Sequence, residues 1–182
     1  QYSVASEEED PEGWKSFEAD VLEYLITYEM AAQKAEEYGL TVTDEEIQAE
    51  IDSIITNYYE GDEAKFNKDI TGYGMTVDGL KANYRESMLM QKVYDKVTES
   101  ITTVPEEDIA AYYEENKDYY VVDEQYTVEE VKEDITSTLL SKLQSEAWDK
   151  WIQATKVELG VTYREGMEPA NSTSLDRRGA EH

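Results

Sequence analysis

Cysteine is absent from the 182 residues, which removes disulfides, a thiol nucleophile and thiolate metal ligation. Histidine occurs once, as the terminal His182, so a Ser-His-Asp triad and a His-based zinc site have no place in the folded part. Basic residues are scarce, 16 Lys and Arg against 43 Asp and Glu, for a formal charge of −27. Nucleic acid and anionic membrane are recognised through clustered Lys and Arg, so both make poor partners for this chain. No apolar run approaches the roughly 18 residues needed to cross a bilayer. The opening QYSVASEEEDPEG has no basic-plus-apolar signal segment, so the chain reads as a mature form or a trimmed piece of a longer one. No glycine-rich phosphate loop occurs, and no cofactor or metal is expected. Any catalysis would rest on carboxylates, Lys and Tyr alone.

What remains is 40% hydrophobic and patterned, which suits one elongated helical domain. Trp14, Phe17, Val21, Leu25, Tyr28, Ala32 and Ala35 recur at steps of three and four and predict a first helix from Trp14 to Tyr38. Gly39 then stops it in the left-handed conformation. Thr43 with Glu46 forms a capping-box pattern that opens a second helix to Tyr59, with Ile47, Ile51, Ile54, Ile55 and Tyr58 on one stripe. A short third helix spans Glu63 to Ile70, and a turn at Gly72-Tyr73-Gly74 leads to a fourth from Val77 to Ser100. Pro105 at a first helical position opens a fifth helix ending near Asp118. Thr127 and Glu130 repeat the capping-box spacing before the longest helix, which Gly160 ends.

The expected fold class is therefore all-α, with about six helices. Residues 1–13 read as a flexible acidic lead, 14–162 as the helical domain, 120–127 as a short link, and 163–182 as a disordered tail without hydrophobic period.

Carboxylate pairs at Glu45-Glu46, Glu106-Glu107 and Glu129-Glu130 sit in first turns, where the helix dipole explains them without acid/base chemistry. The run Glu7 to Asp10 lacks the alternating ligand loop of a calcium site. Fifteen Tyr against two Phe is unusual, because a phenol can contact an apolar ligand while its hydroxyl stays wet. Core packing is the plainer explanation for many of these rings, but pairs such as Tyr58-Tyr59 cannot both face one core. The candidate peptide-binding residues are the exposed members of Tyr24, Tyr28, Tyr58, Tyr59, Tyr84, Met88 and Trp148. Trp148 and Trp151 are one turn apart, so one ring can lock the sixth helix onto the core.

The segment LITYEMAAQKAEEYGLTVTDEEIQAEID resembles the opening of the SurA N-terminal domain and of PrsA-like foldases, extracytoplasmic chaperones of bacteria. EAKFNKDITGYGMTVDGLKANYRESMLMQKVYDK is similar to the family's next block. VPEEDIAAYYEENKDYY is similar to the segment that leads into a parvulin prolyl-isomerase domain, and VEEVKEDITSTLLSKLQSEAWDKWIQATKVELG to the helix that returns after it. Between Tyr120 and Thr127 only VVDEQY stands where relatives carry that catalytic domain.

The resemblance implies a chaperone module whose long C-terminal helix packs back on the N-terminal helices. It further implies an ATP-independent extracytoplasmic holdase for unfolded exported polypeptides, without isomerase activity. A lipid anchor upstream of Gln1 and a homodimer with a swapped sixth helix are both compatible with it. Two other readings stay open: an adaptor that binds one fixed cell-envelope partner, and a PrsA-like isomerase whose catalytic domain is missing from this chain.

Overall fold

The computed structural model describes residues 10–120, 126–164 and 167. The expected lead over residues 1–9, the middle of the link at 121–125 and the tail at 165–166 and 168–182 lie outside the described residues. Among the described residues the chain is all-α: α1 Pro11–Glu37, α2 Asp44–Tyr59, α3 Glu63–Gly72, α4 Val77–Thr98, α5 Glu106–Glu115 and α6 Val128–Glu158. A short 3-10 turn at Lys117–Tyr120 follows α5.

Local chemistry sets these boundaries. α1 starts three residues before the expected Trp14, because the Asp10 carboxylate accepts from the Gly13 amide at 3.0 Å and Pro11 needs no amide partner in the first turn. At α2 the capping box is complete: the Glu46 amide donates to the Thr43 hydroxyl at 3.2 Å, and the Thr43 amide donates to Glu46 at 2.8 Å. At α6 it is altered. The Thr127 amide and hydroxyl both donate to the Glu130 carboxylate, at 2.8 and 2.7 Å. Pro105 lies just outside α5, at the cap rather than inside the first turn, and offers no side-chain acceptor. Gly39 and Gly160 end α1 and α6 at φ of 67° and 65°, the left-handed region that only glycine enters without a Cβ penalty.

The chain divides into two compact units, one of residues 1–91 with 156–182, the other of residues 92–155. In the first, α2 packs on α3 through Ile47, Ile51, Phe66 and Ile70, with Tyr59, Leu80, Tyr84 and Met88 around them. Each fully buried Ile or Phe contributes about 1.5–3 kcal/mol. The Tyr59 ring meets Phe66 edge-on at 5.3 Å. The C-terminal end of α6, from Lys156, belongs to this unit and packs back on α1 through ion pairs described below.

In the second unit Ile109 and Tyr113 of α5 pack on Val131 and Ile135 of α6. The Lys132 ammonium stands 2.8 Å from Glu106, and the Gln144 side chain reaches the Ile101 carbonyl at 3.2 Å.

Along α1 burial departs from the sequence pattern. The buried residues are Met30, Ala31, Lys34 and Ala35, so of the seven-residue stripe only Ala35 enters the core, while Phe17, Val21 and Leu25 stay exposed. Periodicity identified residues that share a face. It carried no information on how far along the helix other elements cover that face.

Candidate functional site

Exposed apolar side chains gather on α1. Phe17, Val21, Tyr24 and Leu25 lie at helical steps on one face and are 40% to 63% exposed. Scattered single apolar residues are ordinary on a surface, and it is large contiguous apolar patches that call for an explanation.

Leu25 links this row to a groove of about 330 Å3, lined by Leu25, Ile26, Glu29, Met30 and Gln33 of α1 and by Leu159 and Val161 beyond α6. That volume is at the lower end for ligand pockets and accommodates side chains rather than a folded surface. The groove exists because Gly160 turns the chain at the end of α6. The Val161 amide donates back to the Lys156 carbonyl at 2.9 Å, which brings Leu159 and Val161 alongside α1.

Ion pairs frame it on both sides. Lys34, with a side chain 5% exposed, donates to Glu158 at 2.5 Å and to Glu37 at 2.8 Å. Those hydrogen bonds, to Glu158 first and then Glu37, raise the Lys34 pKa against the opposing effect of burial. Toward the other end of α1, Glu23 accepts from both the Lys156 ammonium and the Tyr163 hydroxyl. Burial would lower the Lys156 pKa, but the hydrogen bonds with Glu23 and Tyr163 outweigh it and leave it raised. Tyr163 is raised by burial and then by its bond to Glu23. The Lys156 ammonium also lies 5.6 Å from the centre of the Tyr163 ring.

The seven sequence candidates do not converge on one place. Tyr24 sits in the exposed row. Tyr28, one turn on, is half-buried, and its pKa is raised by burial and then by Glu86, Tyr24 and Glu29. Tyr58 is 77% exposed on α2, while its neighbour Tyr59 joins Tyr84 and Met88 around the α2–α3 core. Trp148 belongs to the second unit, stacked on Trp151 at 4.5 Å and tilted against Tyr94 at 5.4 Å. Phe17, Val21 and Leu25, which share the α1 stripe, and the groove residues Ile26, Met30, Leu159 and Val161 are not among the seven sequence candidates. The apolar row itself was the available signal.

At the link, the Tyr126 amide donates to the Tyr120 carbonyl at 3.2 Å, and the Tyr113 hydroxyl donates to the Tyr126 carbonyl. The two ends of the segment therefore meet. Among the described residues no group of three or more acidic, His or Cys side chains is gathered as a metal site requires. Among them, too, no helix is long and apolar enough to cross a membrane.

Among the described residues, one all-helical unit carries both the exposed apolar row and the side-chain groove. Residues 2–94 match the SurA-like N-terminal domain, and the chain belongs to that family. Among curated proteins it is similar to the foldase protein PrsA of Clostridium botulinum strain Hall, 31% identical over 116 residues, which covers 62% of this chain and 34% of that protein. The foldase protein PrsA of Clostridium kluyveri is 28% identical over 113 residues, covering 58% of this chain and 33% of the relative. The chain thus matches about a third of the length of these relatives. No solved structure gives a significant match.

Proposed function

We propose that this chain is an ATP-independent chaperone module that holds unfolded exported polypeptides outside the cytoplasm and has no prolyl-isomerase activity of its own. The observation that carries this reading is the exposed row Phe17, Val21, Tyr24 and Leu25 running into the groove on α1. The mechanism is reversible burial of client aromatic and aliphatic side chains. Each one fully buried contributes roughly 1.5–3 kcal/mol before ordering costs, so a few contacts give weak, fast-exchanging binding that needs no nucleotide for release. The charge of −27 keeps a protein with exposed apolar surface soluble.

Within this reading Tyr24 belongs to the row, Tyr28 extends it, and Tyr58 is a separate contact on α2. Tyr59, Tyr84 and Met88 support the helices beneath, and Trp148 with Trp151 offers a ring surface in the second unit. An isomerase-free module is supported at the link: residues 121–125 alone separate the bonded Tyr120 and Tyr126, far fewer than the roughly 40 a domain needs to fold. Export with a lipid anchor upstream of Gln1 belongs to the same proposal.

The test is aggregation of two unrelated denatured clients with stoichiometric protein and no ATP, beside a proline-isomerisation assay. Suppression for both clients without isomerisation is the expected result. Suppression for neither, together with one tight stoichiometric complex, would assign the chain to the adaptor reading.

A further inference from the structure

We infer that the α1 groove selects apolar client segments that carry lysine or arginine beside the side chain they bury, with Glu29 as the residue that reads the positive charge. This rests on the client binding proposed above and specifies its substrate class.

The groove wall is apolar apart from Glu29 and Gln33. Gln33 donates its side-chain amide to Glu29 Oε1 at 2.9 Å, which ties the carboxylate to the wall. The cations at the frame are already committed. Lys34 is paired with Glu37 and Glu158, and Lys156 with Glu23. Counting those groups with Glu29 gives four carboxylates against two ammoniums, a local excess of two negative charges. α1 as a whole adds Glu12, Glu18, Asp20 and Glu36 against Lys15 alone. An apolar segment entering this groove therefore leaves its flanking side chains in a negative field. A lysine or arginine there is attracted, and an aspartate or glutamate is repelled.

Charge of this kind serves selection more than affinity. Unfolded polypeptides expose apolar segments of every flanking charge. A groove with acidic edges sorts them without a deep pocket.

The experiment uses three labelled peptides with one shared apolar sequence, flanked by Lys, Gln or Glu, titrated with the whole chain by fluorescence anisotropy. At low salt the Lys peptide is expected to bind about 1.4- to 5-fold tighter than the Gln peptide, the range for one exposed ion pair, and the Glu peptide weaker by a similar factor. The preference should fade toward about 1 M salt, where screening extends only a few ångströms. Glu29→Gln should narrow the difference between the Lys and Gln peptides. Glu45→Gln, an exposed carboxylate on α2 outside the groove, should keep it. Equal affinity of the three peptides, or an unchanged preference in Glu29→Gln, would overturn the inference while leaving client binding standing. Binding of none of them would overturn the client-binding reading itself. A dimer that forms over the same concentration range and excludes peptide would give the groove to a second copy, and would also overturn it.

Discussion

Lys34, in the last turn of α1, stands 2.5 Å from Glu158 at the end of α6, across 124 residues of sequence. This pair and the Glu23–Lys156 pair hold the end of the long helix against α1, and the groove lies between them. Lys34→Ala should lower the urea midpoint and speed amide exchange over residues 156–163, because Glu158 loses its partner and the buried stem leaves a gap. Lys34→Met keeps the apolar stem and should come closer to the natural protein than Lys34→Ala, since Glu37 and Glu158 are exposed enough for water to take the place of the ammonium. Equal exchange in all three proteins would show that the pair does not position the segment.

The Glu23–Lys156–Tyr163 cluster predicts an alkaline limit. Lys156 and Tyr163 both have raised pKa values in the folded chain. A raised folded value means stability that is fully present below the unfolded pKa, about 10 for either group, and lost as pH rises through the folded value. Denaturant midpoints should therefore fall above about pH 10. Lys156→Met with Tyr163→Phe should flatten part of that fall, since Tyr28, Tyr84 and Lys132 shift in the same direction. An unchanged profile in the double variant would remove the cluster from the account.

The α2–α3 core should be the costliest place to cut. Ile51→Ala should destabilise by about 2–5 kcal/mol and Phe66→Ala by about 3–5 kcal/mol, through lost burial and the cavity left behind. Chemical denaturation followed by circular dichroism checks both. A cost below about 1 kcal/mol for either would show that the site collapses around the loss.

The meeting of the link ends depends in part on one hydroxyl. Tyr113→Phe removes the donor to the Tyr126 carbonyl and should cost about 0.5–1.5 kcal/mol, with faster exchange at the Tyr126 amide that bonds Tyr120. No change in exchange would mean that the ring packing of Tyr113 against Tyr120 is sufficient to join the ends.

Much of this architecture is legible in the sequence because its signals are local. Thr43 with Glu46, Gly39 and Gly160 act on amides and torsions within a few residues, and the helices start and stop where they indicate. The groove is not local. It needs Gly160 to turn Leu159 and Val161 toward residues more than a hundred positions earlier, and Lys34 to find Glu158. The same limit explains Phe17, Val21 and Leu25. Their spacing shows a shared face, and only the fold shows that the face is left uncovered.

The most direct test of the account replaces Phe17, Val21, Tyr24 and Leu25 together with glutamine, a good helix former, on a row that is already exposed. Aggregation of two unrelated denatured clients is then followed with the natural protein and the variant, and circular dichroism and the denaturant midpoint confirm that both are folded. The account predicts a folded variant that no longer suppresses aggregation where the natural protein does. A folded variant that suppresses aggregation as well as the natural protein would contradict it.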